Sequence, residues 1–281
     1  MPKEDEIVAA RAKELAERSA DSFRTSRFLT PHEQAVFFRA VAGMASNELN
    51  RLFFYGGCRG AERRTAVFFP EWADVSDAPR IFPDSPLYYP EREEYLTSAV
   101  LPFGGAEVHG LSCVRIEGSG YRPLGHRDYL GSLLALGVER DAVGDILTDG
   151  TSAARVFVLK TVAPIITSDL DRVGSDKVRV AVEDPPPDLT AEPKREPLSA
   201  VSASMRLDAV VGSVFFLSRS EAKEAVEKAL VEVNYMTEQK AERTLAPGDV
   251  VSVRGFGKFS VGEQSGLTRS GKVRVTVEKY V

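Results

Sequence analysis

The stretch "RLDAVVGSVFFLSRSEAKEAVEKALVEVN", Arg206–Asn234, reads as two short helices followed by a strand. Leu207, Val210, Val211 and Val214 recur at helical spacing and mark the first helix. Ser218, with Glu221 three residues later, is the signature of a capping box that opens the second. "LVEVN" and, further on, "DVVSVRG" then read as strands. Arg206 and Arg219 therefore stand at the starts of two successive helices, where unpaired backbone N–H groups and the helix dipole already favour an anion. A guanidinium fork beside each start makes a phosphate-binding surface. Both arginines are expected to be exposed, so alanine at either should change stability by about 0.5 kcal/mol or less.

Two motifs in the same region invite other readings. "RLD" (Arg206–Asp208) resembles the surroundings of the catalytic aspartate of pseudouridine synthases, but those enzymes continue with Thr and Gly, whereas this chain continues "AVVGS" into an apolar helix. An aspartate in a first helical turn is stabilised by the dipole without any chemistry. "RGFGKFSV" begins like the RNA-recognition consensus, yet Lys258 stands where that motif needs its second aromatic. Arg254, Phe256, Lys258 and Phe259 read instead as a basic, aromatic-flanked β-turn.

Charge divides along the chain in the same sense. The 281 residues carry a net charge of -5. From Ser199 onward there are twelve Lys and Arg against ten Asp and Glu, a net +2, so the preceding body is -7. Counterion release depends on the phosphates neutralised locally, so a basic tail counts for more than the acidic total.

Working back towards the N-terminus, "EDPPPDLTAEPKREP" is proline-rich and reads as an extended connector over 185–200. Before it, residues 104–184 read as strand (Val108–Ile116), helix from His126, strand (Asp145–Leu147), strand (Arg155–Leu159), helix (Ala163–Arg172) and strand (Lys177–Val182). That βαββαβ order is the ferredoxin-like plan. Residues 1–103 read as helical, with one helix from Glu4 to Ser19. A second opens at Thr30 with Pro31 and Glu33 in cap positions and runs to about Ala45. "RLFFYGG" and "RTAVFFP" flank a turn at Gly56, Gly57 and Gly60 and look like a hairpin. The expected class is α+β, with domains at 1–103, 104–184 and 201–281.

"HRD" at His126–Asp128 matches the core of the kinase catalytic loop, but that loop needs an Asn five residues beyond the Asp, where this chain has Leu133. Tyr129, Leu130, Leu133, Leu134 and Leu136 give an apolar helical face ending at Gly137, so the tripeptide reads as a helix start. Arg127 there is a further candidate phosphate contact. His32, His109 and His126 are scattered, and Cys58 and Cys113 lack Cys-x-x-Cys partners. No metal, cofactor or catalytic residue is expected, and both cysteines should be buried thiols. No apolar run reaches a membrane span, and the charged N-terminus lacks a signal-peptide core, so the expected location is the cytoplasm.

The pattern from Arg206 resembles the S4 RNA-binding domain: R-L-D at the first helix, S-R-S-x-A at the second, V-x-V-N in the strand and "GDVVSV" in the next. "FLTPHEQ", "GGCRGAERR", "HRDYLGSLLALGVERDAVGDI", "SMRLDAVV" and "SVRGFGKF" also occur in the order of the bacterial YlmH family, over nearly the whole chain. This resemblance implies a non-catalytic RNA-binding protein with a C-terminal S4 (αL-like) domain. It also implies partners in rRNA and tRNA on the large ribosomal subunit, and a role in ribosome-associated quality control, where a stalled chain receives a C-terminal tail. The RNA contacts it carries over are Arg206, Ser218, Arg219, Ser220, Lys223, Lys228 and Asn234, to which the turn adds Arg254 and Lys258. One departure is that the usual Gly-[RK]-V-[RK]-V-N becomes Ala229–Asn234, "ALVEVN", which removes two cations and adds Glu232. The alternatives are an RNA-modifying enzyme anchored by an S4 domain and an interaction scaffold linked to cell division, for which the acidic body would be the surface.

Overall fold

The computed structural model describes residues 2–80, 95, 109–269 and 271–281. It divides into two compact units, residues 1–192 and 193–281. The expected boundary at 103/104 and the start of the first expected strand, at Val108, lie outside the described residues.

In the first unit, helices α1 (Lys3–Glu17), α2 (Pro31–Val41) and α3 (Ser46–Leu49) pack against strands β1 (Arg24–Thr25), β2 (Leu52–Tyr55) and β3 (Thr65–Phe68), in sheet order β1-β3-β2. The hairpin read around Gly56 is β2 and β3. The capping box at α2 forms as its sequence dictates: Thr30 Oγ1 accepts the Glu33 N–H and the Glu33 carboxylate accepts the Thr30 N–H. The helix stops at Val41, and Ser46–Leu49 is a separate short helix.

The centre of the chain has two helices and a four-stranded sheet, with a further small hairpin where the second helix was expected to run on to Arg172. Strand β4 (Leu111–Glu117) leads to α4 (His126–Ala135), β5 (Val143–Thr148), β6 (Ala153–Leu159), α5 (Ala163–Asp169), a small hairpin of β7 (Arg172–Val173) and β8 (Asp176–Lys177), and β9 (Arg179–Glu183). The sheet is antiparallel, in order β5-β6-β4-β9. Alternation along β4 sends Val114 and Ile116 to a core under the two helices, with Tyr129, Leu133 and Ile166. It sends Leu111 and Cys113 to the opposite face, where with Phe157 they share a core with Phe28, Phe53, Tyr55 and Phe69. The N-terminal elements are thus built onto the second face of this sheet.

"GGCRGAERR" provides much of that junction. The Phe157 ring lies against Gly57, where a Cβ would come within 2.1 Å of it, and the φ of +99° is one glycine adopts freely. Asp145 accepts the backbone N–H groups of Glu62 (2.6 Å) and Arg63 (3.1 Å), and the Arg63 guanidinium donates to the Val143 carbonyl (3.1 Å). Burial, the largest influence on Asp145, leaves its carboxyl above the ordinary range despite those two donors.

The proline-rich stretch is shorter as a connector than 185–200. Thr190 bridges to Arg59, the Ala191 N–H donates to the Arg59 carbonyl (2.8 Å), and Leu189 and Ala191 pack on the core of the first unit. From Arg195 the chain is already strand β10. Prolines keep a chain extended, but they do not stop intervening residues from finding backbone partners.

The second unit has α6 (Leu207–Phe215) and α7 (Arg219–Glu227) against an antiparallel sheet of β10 (Arg195–Ser202), β11 (Val231–Val233), β12 (Met236–Thr237), β13 (Val250–Val253), β14 (Gly257–Leu267) and β15 (Val273–Tyr280). The sheet order is β10-β15-β14-β13-β11-β12. Leu207, Val210, Val211, Val214, Ala222 and Val226 bury against Val231, Val233, Val251, Phe259, Val275 and Val277. Among the described residues no helix is long and apolar enough to cross a membrane.

Candidate nucleic-acid interface

The two helix starts singled out in the sequence are joined by one buried carboxylate. Arg206 precedes α6, held by an antiparallel bridge to Thr244 and by the Leu207 N–H bond to the Arg243 carbonyl. Its Nε and Nη2 donate to the two oxygens of Asp208 at 3.0 and 2.9 Å, and Arg219 Nε lies 3.7 Å from the same carboxylate. The Asp208 side chain is 2 % exposed, against 38 % for Arg206 and 66 % for Arg219. Burial pushes this carboxyl up, but the Arg206 hydrogen bonds, the Ala209 N–H and the Arg219 charge outweigh it, and the group stays below the usual carboxylate range. Asp208 is therefore an ionised anchor that fixes one guanidinium and draws the second towards it, and both cations keep a solvent-facing side.

This overturns the expectation that Arg206 is energetically idle. Removing it would strand a buried anion, so the loss of stability is larger than at an exposed arginine. The sequence had assigned Asp208 to the helix dipole; the signal for its second role was the Arg-x-Asp spacing at a helix start.

The remaining candidates fall into distinct groups. Ser218, Arg219 and Ser220 share the start of α7, where Ser218 Oγ accepts the Glu221 N–H (3.2 Å) and meets the Ser220 hydroxyl (3.1 Å). Lys223 and Lys228 lie along α7, paired with Glu227 (3.5 Å) and Glu224 (2.5 Å), pairings that are worth little at the surface. Asn234 is half-buried: its Nδ2 donates to Asp249 (2.8 Å) and its Oδ1 accepts the Val250 N–H (2.9 Å), so its amide ties the β11–β12 turn to the start of β13. Arg254 is exposed at the β13–β14 turn. Lys258 Nζ lies 5.2 Å from the Tyr235 ring centre and 4.5 Å from that of Tyr280, two aromatic neighbours the sequence reading missed. Arg127 belongs to the first unit, exposed in the first turn of α4. Beside it, Asp128 accepts the Gly125 N–H (2.8 Å) and so caps that helix.

Two substitutions in the strand region gain a physical account. Ala229 follows α7 with φ of 57°, a conformation that costs an L-residue energy and suits glycine. Ala229→Gly is expected to stabilise the chain by about 0.5–1 kcal/mol, after the entropy of glycine in the unfolded state is counted; urea melts at matched pH would measure it. Glu232 pairs across the sheet with Thr237 and Ser252, and Ser252 with Lys258, so the anion stands on the same face as Lys258.

Among the described residues no group of three or more His, Cys, Asp or Glu could hold a metal ion. Cys58 and Cys113 are both buried, and burial pushes the Cys113 thiol up to about 11. Native protein should therefore react with iodoacetamide at neutral pH far more slowly than unfolded protein, as mass spectrometry would show.

A family model described as "Putative RNA-binding domain in YlmH" matches residues 111–185. The chain is 30 % identical over 256 residues, 90 % of its length and 85 % of the relative's, to "Ribosome-associated protein quality control protein P2" of Bacillus subtilis (strain 168). The chain belongs to the YlmH family. A solved structure, "Cell division protein ylmH from Streptococcus pneumoniae", aligns with 65 % of this chain and 93 % of its own at TM-score 0.42 and 16 % identity. The match at 111–185 spans β4 to β9, so the YlmH-family model falls on the central sheet and its two helices, while the bridged arginines lie beyond it.

Proposed function

We propose that this protein is a non-catalytic RNA-binding factor of the ribosome. Its C-terminal unit is an S4 domain and its centre a ferredoxin-like RNA-binding domain. In this reading it engages rRNA and tRNA on the large subunit in the cytoplasm and supports quality control of stalled chains. The observation that carries it is the placement of Arg206 and Arg219 on one buried carboxylate at successive helix starts. Such an arrangement fixes two partly exposed guanidinium groups beside the backbone N–H groups of a helix start, a local cationic surface of the kind that holds RNA phosphates. The B. subtilis relative's name supports the ribosomal setting.

The centre would contribute differently from a stacking sheet. The sheet face that could present aromatic rings to bases is partly covered: Phe157 on β6 is 1 % exposed beneath the N-terminal elements. Further along, Arg155 and Arg115 both face Glu183, at 2.6 and 3.8 Å. Phosphate contact from this unit would fall to exposed cations such as Arg127.

Gradient sedimentation of the full chain with dissociated ribosomal subunits tests the proposal. Co-migration with the large subunit that is lost at high salt is expected. A protein that stays at the top of the gradient at low salt, with purified rRNA and tRNA also unbound, would refute it.

A further inference from the structure

Among the described large apolar side chains of the second unit, none is more exposed than Phe216, at 88 %. It ends α6 in the left-handed conformation, φ 57°, accepting the crowding that makes glycine the usual residue there. Ala229, which follows the Lys228 cap of α7, takes the same φ with the smallest side chain that has a Cβ. Neither burial nor backbone preference accounts for an aromatic ring at 216.

Its surroundings do. The Phe256 ring, 46 % exposed, packs on Phe215 at 5.9 Å between centroids, and sits in a turn between Gly255 (φ 85°) and Gly257 (φ 127°). Two exposed rings thus neighbour Phe215: Phe216 is next to it in the chain, and Phe256 is tilted against it. Lys279 Nζ lies 5.7 Å from the Phe215 ring, Arg254 is exposed in the Phe256 turn, and the start of α7 with Arg219 is three residues past Phe216. Of the two acids at these helix starts, the Asp208 side chain is buried, while Glu221 stays exposed with its carboxylate accepting the Ser218 N–H at 2.8 Å.

We propose that Phe216 and Phe256 form a stacking platform for unpaired bases of single-stranded RNA, beside the phosphate-binding helix starts. This rests on the RNA reading above and narrows it. Arginines and helix starts hold the phosphates of any nucleic acid, duplex included. An exposed ring gains only from a base whose face is free, and in a duplex those faces are already stacked.

The test is fluorescence anisotropy of the full chain with a labelled, unstructured oligoribonucleotide and with the same strand annealed to its complement. The wild type should prefer the single strand. Phe216→Gly should weaken single-strand binding about tenfold while leaving duplex affinity unchanged and the melting temperature no lower, since it relieves the left-handed strain. Phe216→Trp should retain single-strand binding, and Phe216→Gly with Phe256→Ser should lose more than either alone. If the double variant binds the single strand as the wild type does, or if single-strand and duplex binding fall together with a lower melting temperature, the platform is refuted and the phosphate face stands. If the wild type binds neither RNA, both fall.

Discussion

Replacing Arg206 and Arg219 together with alanine is expected to weaken RNA binding about 30-fold near physiological salt and to reduce the magnitude of the log-affinity versus log-salt slope by roughly 2, one per phosphate contact. The loss should be the same for specific and nonspecific RNA, because phosphate contacts carry no sequence information. The single variants should separate in stability. Arg206→Ala removes two hydrogen bonds from a buried carboxylate and should lower the melting temperature clearly, whereas Arg219, 3.7 Å from it and largely exposed, should change it little. Asp208→Asn should show the converse: about 1–3 kcal/mol less stable, with the arginines present but no longer fixed. Glu232→Lys, on the face that carries Lys258, should steepen the salt slope. Anisotropy titrations across a salt series, with thermal melts of each variant, check all four.

Acid should destabilise the first unit well before it touches the second. Burial lowers the His109 pKa to about 4 from an ordinary 6.5, and the neutral ring accepts the Leu111 N–H at 3.1 Å beside Tyr55. The unfolded chain binds a proton there first. The ring's contribution is therefore intact above pH 6.5 and is lost progressively as the pH falls towards 4, by about 3 kcal/mol at most. Asp208 has its pKa lowered, so its contribution persists above the ordinary carboxylate range and is lost only as the pH falls below it. Denaturant melts from pH 7.5 to 4 should show the first unit weakening through this window, and His109→Gln should flatten the dependence. A wild-type profile that is level between pH 6.5 and 4.5 would contradict this account of His109.

How far the sequence reaches can be seen at particular residues. Thr30 with Glu33 and Ser218 with Glu221 announce their helices because capping chemistry is local, and the βαββαβ order follows from apolar periodicity. The paired helix starts were legible for the same reason. What was hidden depends on contacts between distant segments. The burial of Phe157 under the N-terminal elements, the attachment of Thr190 and Ala191 to Arg59 and the setting of Lys258 between Tyr235 and Tyr280 join residues with no shared local pattern. Asn234, carried over as an RNA contact, has an amide that also bonds Asp249 and Val250, a long-range pairing no local pattern announces. Ala229 and Phe216 betray their left-handed backbone only in three dimensions, since neither is a glycine.

The account's central claim, that the face carrying Arg206 and Arg219 holds RNA, is tested most directly by ultraviolet crosslinking of the intact chain to ribosomal RNA, with the modified peptides mapped by mass spectrometry. Crosslinked peptides within residues 206–234, lost in the double arginine variant while that variant remains folded, are the predicted result. Crosslinks confined to residues 111–185 and unchanged in the double variant would contradict it.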